Sequence, residues 1–280
     1  MRVLEKISEM RDVSRAGNRV GRRLGLVPTM GALHEGHLSL VRAAQAICDV
    51  VTVSIFVNPT QFGPQEDFSR YPRSFERDCR LLEAENVDAV FAPSVEEIYP
   101  QGSITWIEVA GLSERLDGKS RPGHFRGVAT VVAKLFHIVE PGAAFFGQKD
   151  AAQLAIIRRM VLDLNFPIEI VGCPIVREPD GLAMSSRNAY LGREERRSAR
   201  VLSHSLREVE NAFHAGENQI GPLMQLGRKT IAADPAVRLD YFEIVRPDTL
   251  ESAETPAGSL AAVAAFVGTT RLIDNVVLGK

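Results

Sequence analysis

The fold class is most readily inferred from the segment Leu24-Gly-Leu-Val-Pro-Thr-Met-Gly-Ala-Leu-His-Glu-Gly-His37. Residues 24–27 have the pattern of a short strand, Pro28 and Gly31 indicate a turn, and residues 37–48 carry apolar side chains at helical spacing. The order strand, turn and helix is typical of a parallel α/β sheet. Because the first turn of a helix has unpaired backbone N–H groups, the segment also predicts an anion site.

Similar units follow along the chain, since apolar runs alternate with amphipathic stretches. Further strands are predicted at residues 50–57, 87–92, 143–146 and 167–176, and further helices at residues 74–86, 128–139 and 150–164. Strands that alternate with helices of about 10–15 residues indicate a Rossmann-like, right-handed parallel sheet. In such a sheet, ligands bind beyond the carboxyl ends of the strands.

The pattern changes after residue 176. Residues 193–200 are strongly charged and predict the start of a helix, and two helical stretches are predicted at residues 198–215 and 221–233. Strands are predicted at residues 237–245, 260–267 and 272–277. We therefore expect an α/β protein with two domains. Residues 1–176 form a Rossmann-like parallel-sheet domain, and residues 177–280 form a smaller α+β domain packed over it.

The composition is that of an ordinary globular protein, with 45% hydrophobic and 24% charged residues. The formal net charge of −2 provides no basic field for nucleic acid or an anionic membrane, so we expect neither partner. The apolar runs are shorter than the roughly 18 residues of a membrane span. Cys48, Cys79 and Cys173 are far apart, which fits a reducing compartment. Residues 1–10 predict an amphipathic helix instead of a signal peptide, and hence a soluble, cytoplasmic protein.

His34 and His37 are three residues apart and share a face if a helix begins near them. Neutral imidazoles at that position donate hydrogen bonds to phosphate oxygens. Two alternatives are a metal pair, which usually needs a third ligand, and ordinary capping histidines. Gly31 and Gly36 do not form Gly-x-Gly-x-x-Gly, and the chain has no Gly-x-x-x-x-Gly-Lys-Ser/Thr. Dinucleotide-binding and P-loop proteins are therefore excluded.

Two further segments supply groups that stabilise phosphate charge. In Met184-Ser-Ser-Arg187, two hydroxyls and a guanidinium can bind a triphosphate, although a polar turn between domains is the alternative. Lys149 follows the strand predicted at residues 143–146 and can neutralise a phosphoryl group, unless it is a solvated loop lysine. Asp150 either caps the next helix or binds a ribose hydroxyl.

Neutral amides at Asn58, Gln61 and Gln153 can orient a small hydroxy acid without adding charge, although isolated glutamines are more often polar surface. The segment Arg121-Pro-Gly-His-Phe-Arg126 has two interpretations. Its charges suggest a gate on the phosphate side, and a structural loop before the helix at residues 128–139 is the alternative.

Five motifs occur in order: Pro-Thr-Met-Gly-Ala-Leu-His-Glu-Gly-His, Phe-Val-Asn-Pro-Thr-Gln-Phe, Pro-Gly-His-Phe-Arg-Gly-Val, Phe-Gly-Gln-Lys-Asp and Met-Ser-Ser-Arg-Asn. Together they resemble the pantothenate synthetase (pantoate–β-alanine ligase) family of the nucleotidyltransferase superfamily. The resemblance runs from about residue 25 to residue 191 and continues more loosely to the C-terminus. The last motif resembles the Lys-Met-Ser-Lys-Ser loop of class I aminoacyl-tRNA synthetases, but with arginine as its only cation.

The resemblance implies an ATP-dependent condensation of pantoate with β-alanine through a pantoyl adenylate, giving pantothenate, AMP and pyrophosphate. It implies Mg²⁺ held mainly by the ATP phosphates, a homodimer and a C-terminal lid. His37 is the implied proton donor, and charge is stabilised by His34, Lys149, Ser185, Ser186 and Arg187. Gln61 and Gln153 bind pantoate, and Gln61 also lies near β-alanine. The implied ATP-binding residues are Met30, Gly31, Ala32, Leu33, His34, Glu35, Gly36, His37, Gly147, Gln148, Lys149, Asp150, Val176, Met184, Ser185, Ser186 and Arg187.

Three other functions remain as alternatives. An enzyme that adenylylates a phosphate ester needs extra cations for the second phosphate, whereas Asn58, Gln61 and Gln153 are neutral. A tRNA synthetase needs a basic RNA-binding face, which the sequence does not indicate. A non-catalytic nucleotide-binding regulator predicts ATP binding without turnover.

Overall fold

Six parallel strands form the first sheet in the computed structural model, which describes residues 1–64 and 66–279. The strands are Arg2–Leu4 (β1), Leu24–Thr29 (β2), Val50–Ile55 (β3), Ala89–Phe91 (β4), Ala143–Gly147 (β5) and Glu169–Cys173 (β6). They lie in the order β1-β4-β3-β2-β5-β6, with parallel neighbours. The helices of this part are Ile7–Arg19 (α1), Glu35–Gln45 (α2), Phe75–Ala84 (α3), Val95–Ile98 (α4), Asp117–Ser120 (α5), His124–Val139 (α6) and Ala151–Asp163 (α7). The predicted parallel α/β sheet is confirmed.

Helices cover both faces of this sheet, which explains why its central strands are apolar at nearly every position. Leu26 and Phe146 pack with α1, α6 and α7 on one face. Val27 and Phe145, their neighbours in sequence, pack with α2 and α3 on the other face. Since both faces are buried, ligands have access mainly at the carboxyl ends of the strands, where the motif-bearing loops lie.

The C-terminal part has a separate core around a second sheet. Its strands are Val237–Val245 (β7), Leu260–Val267 (β8) and Thr270–Val277 (β9), which are antiparallel in the order β7-β8-β9. Its helices are Arg193–Ala199 (α8), Val201–His214 (α9) and Ile220–Ala232 (α10). Phe242 and Val263 are central to its core. The predicted α+β part is confirmed, while the domain boundary at residues 176 and 177 stays a prediction.

The structure corrects the prediction for residues 1–10. Instead of one helix, these residues form β1, which pairs with β4 at the edge of the sheet, and the start of α1. The Glu9 carboxylate accepts hydrogen bonds from the N–H groups of Glu5 at 3.3 Å and Lys6 at 3.2 Å, which fixes where α1 begins. A three-residue edge strand is too short to produce a periodic sequence pattern.

Several predicted boundaries also shift. Pro28 belongs to β2 instead of the following turn, because β5 pairs with β2 only at Gly25 and Leu26 and the missing N–H of Pro28 faces no strand there. The helix predicted from residue 128 begins at His124, and the helix predicted over residues 198–215 is divided between α8 and α9. Among the described residues, no helix has both the length and the hydropathy of a membrane span.

Candidate active site

The loop after β2 is held by a buried carboxylate. Gly31 and Ala32 both have left-handed backbones, with φ of 81° and 51°. The N–H groups of Ala32 and Leu33 donate to the Asp78 carboxylate at 2.8 and 2.9 Å, and the Asp78 side chain is 0% exposed in the first turn of α3. The anion at these two amides is therefore part of the protein. These two N–H groups are therefore not available for the predicted contact with phosphate. A role of Ala32 and Leu33 in ATP binding stays a prediction, and it would have to involve atoms other than these backbone nitrogens.

We expect Asp78→Asn to lower the free energy of unfolding by about 1–3 kcal/mol, the usual cost of unsatisfied buried hydrogen-bonding groups. Asparagine offers one oxygen acceptor for the two amides and directs an NH₂ group at the other. Urea denaturation measures the change. Ser74→Ala is the matched control, because it removes only the hydroxyl that donates to Asp78 at 3.1 Å. Equal stability of the two variants would contradict the role assigned to Asp78.

His34 and His37 form the predicted pair at the start of α2. His34 is the N-cap residue, and its Nδ1 accepts from the Gly36 N–H at 3.2 Å. The His37 Nδ1 accepts from the His34 N–H at 3.3 Å, and the two ring centroids are 4.1 Å apart. Because both Nδ1 atoms accept, the neutral rings carry their protons on Nε2. Capping, one of the predicted alternatives, is thus observed, and it leaves two Nε2–H donors for a ligand.

Both imidazoles are neutral at physiological pH. Burial, together with the nearby Lys149 ammonium, lowers the pKa of His34 to about 4. Burial, His34 and Lys149 lower the pKa of His37 to about 3. In the described residues, no third His, Cys, Asp or Glu side chain joins the pair as metal ligands would.

These lowered pKa values predict acid sensitivity. Well above pH 6.5, the ordinary pKa of histidine, both rings are neutral whether the chain is folded or unfolded. As the pH falls from about 6.5 toward 4, the unfolded chain binds protons that the folded chain does not bind, so the free energy of unfolding must fall. Urea denaturation at pH 8, 6.5 and 5 measures this loss before carboxylates titrate strongly. A His34→Gln/His37→Gln variant should lose less stability over this interval, and an equal loss would show that other groups cause it.

Lys149 lies in a 3-10 turn, Gln148–Asp150, between β5 and α7. Its side chain is 19% exposed, and its Nζ lies 3.6 Å from the Asp150 carboxylate. The side-chain amide of Asn275, in β9, donates to the carbonyls of Gln148 and Lys149, both at 2.9 Å. Asp150 occupies the N-cap position of α7 without a capping hydrogen bond from its side chain, so of its two predicted roles ribose binding remains as a proposal. Asn275 lies outside all five sequence motifs, and no local pattern marks it as part of the site.

The Met184-Ser-Ser-Arg187 segment contacts the loop that follows Phe62. The Arg187 guanidinium forms a bidentate pair with Asp67, at 3.1 Å from Nε and 2.9 Å from Nη2. The Ser186 hydroxyl lies 3.2 Å from the Tyr71 hydroxyl. Asp67 and Tyr71 are further residues that sequence reasoning missed, since no motif relates them to the segment.

Of the three predicted amides, Asn58 is the most buried, and its side chain contacts Gln61. Asn58 is 1% exposed, and its Nδ2 donates to the Gln61 Oε1 at 3.0 Å and to the Gly127 carbonyl at 3.2 Å. Its Oδ1 accepts from the Thr60 and Tyr99 hydroxyls. Asn58 therefore orients Gln61, and its own contact with a substrate stays a prediction.

Two adjoining cavities, of about 210 Å³ and 610 Å³, lie between the sheet and the C-terminal part. The smaller one brings together most of the predicted residues: Met30, His34, Gly36, His37, Asn58, Gln61, Gly147, Lys149, Asp150, Gln153, Val176, Met184, Ser185, Ser186 and Arg187. The larger one shares Lys149, Asp150, Gln153, Ser185 and Arg187 with it. Five predicted ATP-binding residues lie outside both linings: Gly31, Ala32, Leu33, Glu35 and Gln148. Leu33 is buried in the core, and Glu35 forms a surface ion pair with Arg42.

The cavity thus combines two kinds of chemistry. Neutral imidazole donors, hydroxyls, an ammonium and a guanidinium converge where a chain of phosphates can lie. The Gln61 and Gln153 amides line the same space without adding charge. The fold and the site are thus those expected of an α/β enzyme that handles phosphate groups next to a small polar substrate.

The family follows from comparison with known proteins. A family model described as pantoate-beta-alanine ligase matches residues 2–277, and the chain belongs to this family. Pantothenate synthetase of Acidobacterium capsulatum is 66% identical over 260 residues, which are 92% of this chain and 87% of that protein. Pantothenate synthetase of Koribacter versatilis is 57% identical over 99% of this chain and 96% of its own length.

Solved structures agree with this result. The crystal structure of pantothenate synthetase from Thermus thermophilus matches with a TM-score of 0.94 and 46% identity over 99% of both chains. Pantoate-beta-alanine ligase from Francisella tularensis, complexed with beta-gamma ATP and β-alanine, matches with a TM-score of 0.82 and 34% identity over 99% of this chain and 97% of that one. The chain is therefore a ligase that forms an amide bond, as the motifs predict.

Proposed function

We propose that this protein condenses pantoate with β-alanine at the expense of ATP, through a pantoyl adenylate, and releases pantothenate, AMP and pyrophosphate. One observation carries the proposal. A single cavity contains the phosphate-binding set around His34, His37 and Lys149 together with the neutral amides of Gln61 and Gln153. The amides suit the hydroxyl and carboxylate groups of a small hydroxy acid.

In the first step, a carboxylate oxygen of pantoate attacks the α-phosphorus of ATP, and the bond to pyrophosphate breaks. Negative charge increases on the oxygen atoms of the α-phosphate and of the departing pyrophosphate. Lys149, Arg187 and the Nε2–H of His37 stabilise this charge, with His34, Ser185 and Ser186 as further donors. Gln61 and Gln153 hold the acid in line, which removes much of the entropic cost of bringing two substrates together.

In the second step, the amine of β-alanine attacks the acyl carbon of the adenylate. The new C–N bond forms, the C–O bond to AMP breaks, and the amine loses a proton to solvent water. AMP is a good leaving group, so no nucleophile from the protein is required and no covalent enzyme intermediate is expected.

The remaining features of the proposal come from the family resemblance. Mg²⁺ would enter as part of the Mg-ATP substrate and would be held mainly by the ATP phosphates, because this ion gives up its water ligands reluctantly. Residues 177–280 act as a lid, a role supported by the hydrogen bonds from Asn275 to the turn that carries Lys149. The protein works as a homodimer in the cytoplasm, and light scattering of the purified protein tests the dimer.

The proposal is tested by following pyrophosphate released from ATP with and without pantoate, and then AMP released after β-alanine is added. Pyrophosphate should require pantoate, and AMP should require both acids. Phosphopantetheine and nicotinamide mononucleotide serve as control substrates for the alternative adenylyltransferases. Absence of pantoate-dependent pyrophosphate, with either control substrate active instead, would assign the protein to another function.

A further inference from the structure

The segment Arg121-Pro-Gly-His-Phe-Arg126 lies directly behind the turn that carries Gln61. The His124 Nδ1 lies 2.7 Å from the Gln61 carbonyl oxygen, and its Nε2 lies 3.0 Å from Nη1 of Arg121. A guanidinium can only donate, so Nε2 accepts. The proton of the neutral ring is therefore on Nδ1, which donates to Gln61.

A glycine allows the helix α6 to approach the same turn closely. A Cβ atom at Gly127 would lie 2.4 Å from the Thr60 carbonyl oxygen and 2.8 Å from the Gln61 nitrogen, so a larger residue would displace the backbone. The Gly127 carbonyl in turn accepts from the Asn58 amide at 3.2 Å. The turn Pro59–Gln61 is thus held by α6 on its backbone and by Asn58 on the Gln61 side chain.

The surroundings of His124 keep its imidazole neutral. Burial lowers the pKa of His124 to about 3, and the adjacent Arg121 guanidinium contributes. Arg121 also donates from Nε to the Glu66 carboxylate at 2.8 Å, which fixes the guanidinium against the ring. At physiological pH, His124 therefore remains a neutral Nδ1–H donor to Gln61.

We propose that His124 is a positioning residue for pantoate, which acts by holding the Gln61 backbone so that the Gln61 amide faces the acid. This inference rests on the proposed function, in which Gln61 binds pantoate. The segment at residues 121–126 then acts neither as a gate on the phosphate side nor only as a structural loop, since it positions a substrate-binding residue. A residue that fixes the backbone of a binding residue lowers the cost of ordering it when the substrate binds.

The test uses His124→Ala, His124→Asn and His124→Gln, with KM measured for pantoate, ATP and β-alanine and kcat at saturation. We expect His124→Ala to raise the KM for pantoate about 10-fold, the effect of losing one buried hydrogen bond. Asparagine places a donor near the position of Nδ1 and should stay within about 3-fold of the wild type, whereas glutamine places it near Nε2 and should resemble alanine. The KM for ATP should change by less than about 2-fold in each variant.

The asparagine and glutamine pair keeps the test decisive if the alanine variant folds poorly. Equal pantoate KM values for these two variants would contradict the proposal. A rise in the KM for β-alanine alone would also contradict it, because His124 also lines the larger cavity and would then contact that substrate.

Gln61→Ala separates this inference from the proposed function on which it rests. If Gln61→Ala leaves pantoate binding unchanged, the proposed role of Gln61 is wrong. If Gln61→Ala weakens pantoate binding and His124→Ala does not, only the positioning role is wrong. When both weaken it, His124→Ala should add less than about 2-fold in the Gln61→Ala background, because the two residues act as one unit.

Discussion

Lys149→Ala should form pyrophosphate from ATP and pantoate about 10²–10³-fold more slowly than the wild type, the usual cost of losing one preorganised electrostatic donor. The lysine is suited to this role because it lies at the carboxyl end of β5 in a turn whose carbonyls are held by Asn275. Its side chain is mostly buried, so its charge is less screened than that of a surface lysine. The measurement is single-turnover pyrophosphate release at saturating ATP and pantoate.

Lys229→Ala is the matched control, because this lysine is exposed on α10, away from both cavities. It should retain the wild-type rate. A Lys149→Ala protein with native circular dichroism and a near wild-type single-turnover rate would remove Lys149 from the catalytic set.

His37→Ala should also slow pyrophosphate release by about 10²–10³-fold, since it removes the Nε2–H donor at the start of α2. His37→Gln distinguishes two roles for this residue. With a pKa of about 3, the ring is neutral in the free enzyme, so we expect it to act as a hydrogen-bond donor instead of an imidazolium acid. The glutamine amide preserves a neutral donor near Nε2 and should recover a substantial part of the rate.

The pH dependence provides a second measure of the same role. The kcat/KM for ATP of the wild type should show no ionisation of His37 between pH 5 and 8, because its pKa lies below this range. His214→Ala, at an exposed position on α9, is the control and should change neither rate nor profile. If glutamine is as damaging as alanine and the wild-type profile shows an ionisation that both variants lack, His37 acts as a proton donor instead.

The spacing of apolar residues in the sequence is sufficient to predict the central strands and the C-terminal sheet. The strands predicted at residues 237–245 and 260–267 match β7 and β8, because long strands with a buried face have a strong pattern. The strand β1 was missed because three residues at a sheet edge have no period. The early start of α6 was also missed, since Gly123 precedes it with φ of 81° and favours a turn in the sequence.

The motifs predicted most of the side chains that share the cavity, but not the contacts that hold them in place. Asp78 lies 45 residues from the Leu33 amide, Asn275 lies 126 residues from the Lys149 carbonyl, and His124 lies 63 residues from Gln61. Each of these contacts depends on how distant elements pack, so local spacing cannot reveal it. The occupied amides at Ala32 and Leu33 show the same limit, because a strand–turn–helix pattern does not reveal that a carboxylate of the protein takes the place of a ligand anion.

Oxygen transfer tests the adenylate directly. When the enzyme turns over pantoate labelled with ¹⁸O in its carboxylate, together with ATP and β-alanine, attack of the carboxylate on the α-phosphorus followed by cleavage of the C–O bond must leave one ¹⁸O atom in AMP. Mass spectrometry of the AMP should therefore show one labelled oxygen, and the pyrophosphate should show none. Unlabelled AMP, or label in inorganic phosphate formed together with ADP, would contradict the adenylation mechanism.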